Sequence, residues 1–169
     1  MNKFNSFITI IMIAATTGAM AQENATASST ATIVAPIGIE KSVDMNFGNV
    51  ATNDAGGAVV IATDGTTTPS GGVTLPAQTG TVTAAAFDVS GEADYTYTIT
   101  LPSSAITLQD EEEANTMTVG TFISDPSSSG QLDSGAQTVN VGATLNVDGS
   151  QEPGVYTNTS DLTVTVNYN

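Results

Sequence analysis

The sequence predicts an all-β protein: an immunoglobulin-like Greek-key β-sandwich that follows an N-terminal signal peptide. Three observations support this class. Apolar and polar residues alternate in several short runs, which is the period of a strand with one buried face. Clusters of Gly, Pro, Asn, Asp and Ser separate these runs at short spacing. Beyond residue 21, no stretch keeps helical periodicity for three turns. A closed barrel is the alternative architecture.

The first 21 residues have the pattern of a signal peptide. Lys3 precedes the apolar run 7–15, and the small residues at 19–21 provide a cleavage site before Gln22. The run is shorter than the roughly 20 apolar residues that span a bilayer. The pattern therefore predicts a secreted protein in the periplasm, on the outer-membrane surface or outside the cell, with no membrane span in its mature chain.

The mature N-terminus, residues 22–32, is an arm rich in Ser, Thr and Ala that precedes the predicted sandwich domain, residues 33–169. If the arm is extended, one of its faces carries Ala25, Ala27, Ser29, Ala31 and Ile33. Three interpretations stay open: an internal strand, a donor strand that completes the sheet of a neighbouring copy, and a loose arm.

Less regular runs predict the strands in the first part of the domain. They lie at 31–43, 58–63, 73–75, 79–89, 104–108 and 116–124. Asp64-Gly65 predicts a hairpin turn after 58–63, whereas 69–72 and 125–130 have the composition of exposed turns. The alternation in 79–89 changes phase between Ala86 and Phe87, which predicts a β-bulge there.

Three runs alternate clearly, at 95–101, 139–147 and 162–168. The last of them places four side chains on one face: Leu162, Val164, Val166 and Tyr168. If this final strand lies at a sheet edge, its backbone groups are free to pair with another chain. These four residues and the alternating face of the arm are therefore the candidates for strand exchange.

Composition excludes several classes of function. The chain has 17 acidic residues against two lysines and no arginine, with a net charge of −15, so nucleic acid is an unsuitable partner. It contains no Cys, His or Trp, which rules out disulfides, thiol nucleophiles, His-based triads and zinc fingers. We expect no cofactor and no enzymatic activity, although composition still permits a hydrolase built on two carboxylates.

One acidic run is a weak candidate for a metal site: Asp110, Glu111, Glu112 and Glu113. Carboxylates bind Ca²⁺, but the run lacks the spacing of an EF-hand loop. The other interpretation is a solvated loop between two strands, and we expect no bound metal.

Several motifs resemble those of a family of secreted bacterial domains of unknown function. They are Ala35-Pro-Ile-Gly-Ile39, Met45-Asn-Phe-Gly48, Val141-Gly-Ala-Thr-Leu145 and the ending Leu162-Thr-Val-Thr-Val-Asn-Tyr168. The stretch from Gly154 to Val166 is also similar to the terminal strand of spore-coat-U-type and archaic chaperone–usher pilins. That similarity implies an immunoglobulin-like sandwich whose neighbours exchange N-terminal strands, although many such pilins carry a Cys pair that this chain lacks.

These observations predict an exported pilin-like or surface-layer subunit that assembles with copies of itself by β-strand addition. A periplasmic chaperone and an usher are further predicted partners. The alternative is a monomeric extracellular sandwich that binds a glycan or Ca²⁺ through its loops. Tyr156 is interpreted as a core tyrosine, with a corner tyrosine bonded to nearby backbone as the alternative.

Overall fold

A computed structural model of the chain describes residues 22–158 and 162–169, so the predicted signal peptide, 1–21, lies outside the described residues. The chain divides into two units, residues 1–32 and 33–169. In the first unit, residues 22–32 are exposed and form no strand. All the strands that the structure describes lie in the second unit.

The second unit contains ten strands among its described residues. In chain order they are β1 Gly38–Val43, β2 Ala51–Ile61, β3 Thr67–Thr74, β4 Ala85–Ser90, β5 Thr96–Thr100, β6 Ile106–Gln109, β7 Thr116–Asp125, β8 Ser129–Gln131, β9 Ala136–Val147 and β10 Thr165–Tyr168. One 3-10 turn, Asp133–Gly135, precedes β9. Within the described residues no helix has the length and apolar character needed to cross a membrane.

The strands form two antiparallel sheets in a sandwich-like arrangement, which confirms the all-β prediction. In the large sheet, the long strand β9 is central: β4 pairs with its first half, β2 pairs with its second half, and β7 pairs along its other edge. β1, β3 and β6 extend this sheet outward. The small sheet has the order β10-β5-β8. Many neighbouring strands are distant in sequence, as in Greek-key folds.

The buried apolar side chains of the domain form two cores, and both include residues of the large sheet. The first core lies between the two sheets and takes its side chains from β4, β5, β10 and the first half of β9. The second core lies on β2, β3, β7 and the second half of β9, with Phe47 from the β1–β2 connection. The small sheet therefore covers only the first of the two cores.

The clearest alternation is confirmed. Val139, Val141, Ala143, Leu145 and Val147 are each at most 4% exposed on β9. Tyr97 and Ile99 of β5 are also buried, and the Tyr97 hydroxyl donates a hydrogen bond to Gln137 Oε1 at 2.7 Å. Burial raises the pKa of Tyr97 above its ordinary value.

Three expectations about the early strands are wrong in their bounds. The predicted strand 31–43 begins only at Gly38, and the predicted strand 79–89 is ordered as β4 only from Ala85. The segment 69–72 is not a turn but the middle of β3, where Pro69 pairs with Val59. Pro is tolerated there because β3 is an edge strand, so the missing N–H faces outward.

The expected bulge occurs at the predicted step but on the partner strand. β4 pairs with β9 without interruption from Ala85 to Ser90. The register between β1 and β4 shifts between Lys41 and Val43, opposite Phe87 and Ala86, so the extra residue is Ser42 of β1. The phase change in the sequence of β4 reflects three consecutive buried residues, 85–87.

The predicted hairpin at Asp64-Gly65 is confirmed, since it joins the paired strands β2 and β3. The Asp64 carboxylate accepts hydrogen bonds from the hydroxyl and the backbone N–H of Thr66, at 2.7 and 2.9 Å. The hydroxyl bond from Thr66 is the main cause that holds the pKa of Asp64 below its ordinary value.

Candidate interaction groove

The last strand, β10, lies at the edge of the small sheet and pairs there with β5 alone. Of the residues predicted for strand exchange, Val164 and Val166 point into the first core and are 7% and 8% exposed. Leu162 is half-buried against the same core. Their side chains therefore stabilise this domain, and what the edge leaves available to another chain is its backbone.

An open groove of about 870 Å³ lies on the large sheet, mostly at residues of the second core. Its floor is apolar and comes from β4, β9, β7 and β6: Ala85, Phe87, Leu145, Met117, Val119, Ile106 and Leu108. Ile106, Leu108 and Met117 are only half-buried. An apolar strip that stays open in a folded domain is typical of an interaction surface.

One wall of the groove is the connection from β1 to β2, residues 44–50, together with Lys41 and Val43 at the end of β1. Asn46 and Thr83 hold it by two backbone hydrogen bonds of 2.9 Å. Gly48 adopts φ +70°, and a Cβ there would lie 2.2 Å from the Thr79 carbonyl oxygen, so the turn requires glycine. This wall brings Met45, Phe47 and Val50 to the groove.

The other wall is residues 153–158 with Leu162. Thr157 pairs with Gln109 of β6 through backbone hydrogen bonds of 2.8 and 3.0 Å. The Tyr156 hydroxyl donates a 2.7 Å hydrogen bond to the carbonyl oxygen of Glu152 and accepts one from Gln151. Tyr156 is therefore a corner tyrosine, and its interpretation as a plain core residue is wrong.

Among the described residues that line the groove, two have charged side chains, Lys41 and Asp44. They form an ion pair with each other, and both are exposed, at 56% and 78%. Such exposed pairs contribute little to stability. In its described lining, the groove therefore combines an apolar floor with charged side chains at the β1 end.

The arm residues predicted for strand exchange are not part of a strand. Ala25, Ala27, Ser29 and Ala31 are exposed. Ile33, the first residue of the second unit, is 97% exposed. The described residues of the arm, 22–32, form no strand, so the structure does not show the internal strand that was one of the three interpretations.

Tyr168 fixes the point where the domain begins, a role that the sequence does not indicate. Its hydroxyl accepts a hydrogen bond from the backbone N–H of Glu92 at 2.7 Å and donates one to the carbonyl of Ala35 at 2.9 Å. The N–H of Ala35 donates in turn to the Glu92 carboxylate at 2.8 Å. We call this group of three residues the Ala35 clamp; it ties residue 35 to the end of β10.

The acidic run at 110–113 forms the loop between β6 and β7. The Asp110 carboxylate accepts hydrogen bonds from the side chain of Asn115, at 2.7 Å, and from the backbone N–H groups of Ala114 and Asn115. The Asn115 side chain is the main cause that holds the pKa of Asp110 below its ordinary value. In the described part of the chain, no group of three or more metal-ligating side chains could hold an ion.

Sequence reasoning missed the groove itself. The runs at 104–108 and 116–124 predict strands there, but they do not show what covers the side chains of those strands. Coverage depends on the lengths of the small-sheet strands, and the predicted final run, 162–168, is longer than the four residues of β10.

Fold and groove together define an antiparallel β-sandwich domain with an open, apolar-floored groove on its large sheet. The chain belongs to the family DUF4402, a domain of unknown function, whose sequence model matches residues 37–168. No curated protein and no solved structure shows significant similarity to the chain.

Proposed function

We propose that this protein is an exported structural subunit that assembles by β-strand addition, with the N-terminal arm of one copy filling the groove of the next. The observation that carries the proposal is the groove of about 870 Å³, which is lined at its two ends by the edge strands β1 and β6. An added strand would cover the half-buried floor residues Ile106, Leu108 and Met117 and could pair with the free backbone groups of an edge strand.

The arm has the properties of a donor strand. Its alternating face carries small side chains at 25, 27, 29 and 31 and ends on Ile33. At 97% exposure, Ile33 gains hydrophobic free energy if it is buried in another copy. The arm also has one charged side chain, Glu23, next to the amino group that cleavage before Gln22 would leave, so residues 24–32 can enter an apolar groove without desolvating charge.

The similarity of residues 154–166 to the terminal strand of spore-coat-U-type and archaic chaperone–usher pilins supports the same proposal. The predicted signal peptide would deliver the subunit outside the cytoplasm. Before assembly, the open groove would need a transient partner. A periplasmic chaperone would fill this role by adding one of its own strands to the groove. A subunit without cysteine would rely on strand pairing alone to hold its neighbours.

Arm variants test the proposal without disturbing the folded domain. Secreted full-length protein should form polymers in size-exclusion chromatography and electron microscopy, and deletion of 22–32 should abolish them. Ile33→Asp should do the same, because it places a charge on the face that enters the groove. The matched control is Ile123→Asp, which changes a side chain on β7 that is 46% exposed and lies outside the groove. A full-length protein that stays monomeric at high concentration, or polymers unaffected by the arm deletion, would refute the proposal.

A further inference from the structure

The two ends of the groove differ in chemistry. At the β1 end, Lys41 is the one Lys or Arg side chain among the described residues. At the β6 end, the floor is Ile106 and Leu108, both half-buried. Because the ion pair between Lys41 and Asp44 is exposed, Lys41 can exchange or share its partner at little cost.

The pairing registers give the distance between these ends. β1, β4, β9, β7 and β6 are successive neighbours, so four strand spacings of about 4.8 Å separate Lys41 from Ile106, or about 19 Å. Lys41 is level with Val139 of β9 and Ile106 is level with Leu145, an offset of six residues or about 20 Å. The diagonal between the two ends is therefore about 28 Å on these spacings.

The two ends of the extended arm match the chemistry of the two ends of the groove, and the arm is about 5 Å longer than the groove diagonal on these spacings. Glu23 lies two residues before Ala25, so in an extended arm it shares the face that ends on Ile33. Ten residues separate Glu23 from Ile33, which is about 33 Å in an extended strand. The face thus begins with a single negative charge, continues with small side chains and ends with one large apolar side chain.

Building on the proposed function, we infer that the arm enters the groove of the next copy in one orientation, set by Glu23 pairing with Lys41 and by Ile33 packing on Ile106 and Leu108. The reverse orientation would bring the Glu23 carboxylate to an apolar floor without a cation, where desolvation is unfavourable. The partner recognised at Lys41 is therefore a carboxylate at the start of another copy's arm.

Charge reversal at Glu23 separates this pairing from general repulsion. Glu23→Lys makes each copy less negative, so general repulsion alone predicts stronger assembly. The specific pair predicts the opposite: polymer formation should weaken about two- to five-fold for Glu23→Gln, the range given by exposed ion pairs, and more for Glu23→Lys. The double variant Glu23→Lys with Lys41→Glu should recover assembly relative to either single reversal.

The control is Glu111→Lys, which makes the same charge change on the loop between β6 and β7, away from the groove lining. It should leave assembly unchanged or strengthen it. Thermal unfolding of each monomer checks the fold, and Glu23 lies on the exposed arm, outside the cores. Wild-type protein that never assembles refutes the proposed function and this inference with it. Assembly that is as strong as wild type or stronger in Glu23→Lys refutes the orientation alone.

Discussion

Tyr168 shows how one side chain can organise the start of the domain. Its hydroxyl bonds Glu92 and Ala35, which are distant in sequence, and its ring packs edge-on against Tyr95 with centroids 5.5 Å apart. The hydroxyl reaches these partners because residue 91 is glycine: a Cβ there would lie 2.1 Å from the Tyr168 hydroxyl oxygen. The clamp therefore depends on the absence of a side chain.

Gly91→Ala should break the Ala35 clamp. The added methyl group would also lie 2.9 Å from Leu132 Cδ1, so the Tyr168 ring must move and lose its hydrogen bonds. We expect a loss of about 1–3 kcal/mol in the free energy of unfolding, as for other overpacked sites, measured by urea titration. Gly154→Ala is the matched control, because its nearest contacts would be 3.7 and 4.0 Å. Equal stability of the two variants would contradict this account of the clamp.

The Asp110 carboxylate should make the stability of the fold depend on pH in the acid range. Its pKa is lowered in the folded chain, chiefly by the hydrogen bond from the Asn115 side chain. The carboxylate therefore adds to the free energy of unfolding above its ordinary pKa of 3.8, and this contribution is lost as pH falls through the pKa of the folded chain. The midpoint temperature of thermal unfolding, Tm, should therefore fall more steeply below pH 3.8 for the wild type than for Asp110→Asn. Glu111→Gln, a neighbouring exposed change, should keep the wild-type profile. Identical profiles for wild type and Asp110→Asn would be inconsistent with this role.

Among the elements, β1 carries an unfavourable pairing. Glu40 lies directly opposite Asp88 of β4, so two carboxylates share one face of the sheet. Thr138 of β9 donates a hydrogen bond to Asp88 at 2.8 Å, which keeps that carboxylate at the surface of the sheet beside Glu40. Like charges in directly opposed positions destabilise a pair of strands.

Glu40→Thr should therefore stabilise the protein. Removing one of the two opposed carboxylates should raise the free energy of unfolding by about 0.2–1 kcal/mol. Because salt screens exposed charges, the gain should shrink at 1 M NaCl, where the Debye length is about 3 Å. Urea titrations at low and high salt measure both effects. A variant that is less stable than wild type at low salt would show that the repulsion is not significant.

How far the sequence predicts an element depends on what pairs with it. β9 and β5 were predictable because each has one buried and one exposed face, which alternation reports directly. β3 was not, because Pro69 and the glycines at 71 and 72 are turn residues by composition. In the structure Gly71 packs against the backbone of Gly57, where a side chain would clash at 2.9 Å, and Pro69 faces an open edge. Local composition does not report such close approaches of two backbones.

At the scale of the whole molecule, the sandwich is incomplete. The small sheet, with four, five and three residues in β10, β5 and β8, covers one core and leaves the second core partly open as the groove. The sequence predicted strands at the positions of β6 and β7, but their coverage is a property of the assembled sheets. The groove was therefore not predictable from sequence, and the residues proposed for strand exchange stay predictions.

The most direct test of the central claim is an engineered disulfide between arm and groove, in a chain with no native cysteine to compete. Ile33→Cys, at the end of the arm, is combined either with Met117→Cys at the β6 end of the groove floor or with Val43→Cys at the β1 end, so one of the two combinations can link in either orientation. Under oxidation, one of these double variants should give a ladder of covalent oligomers on a non-reducing gel. Ile33→Cys with Ile123→Cys, outside the groove, should give none. If both double variants stay unlinked, or close only within single chains, strand addition between copies is contradicted.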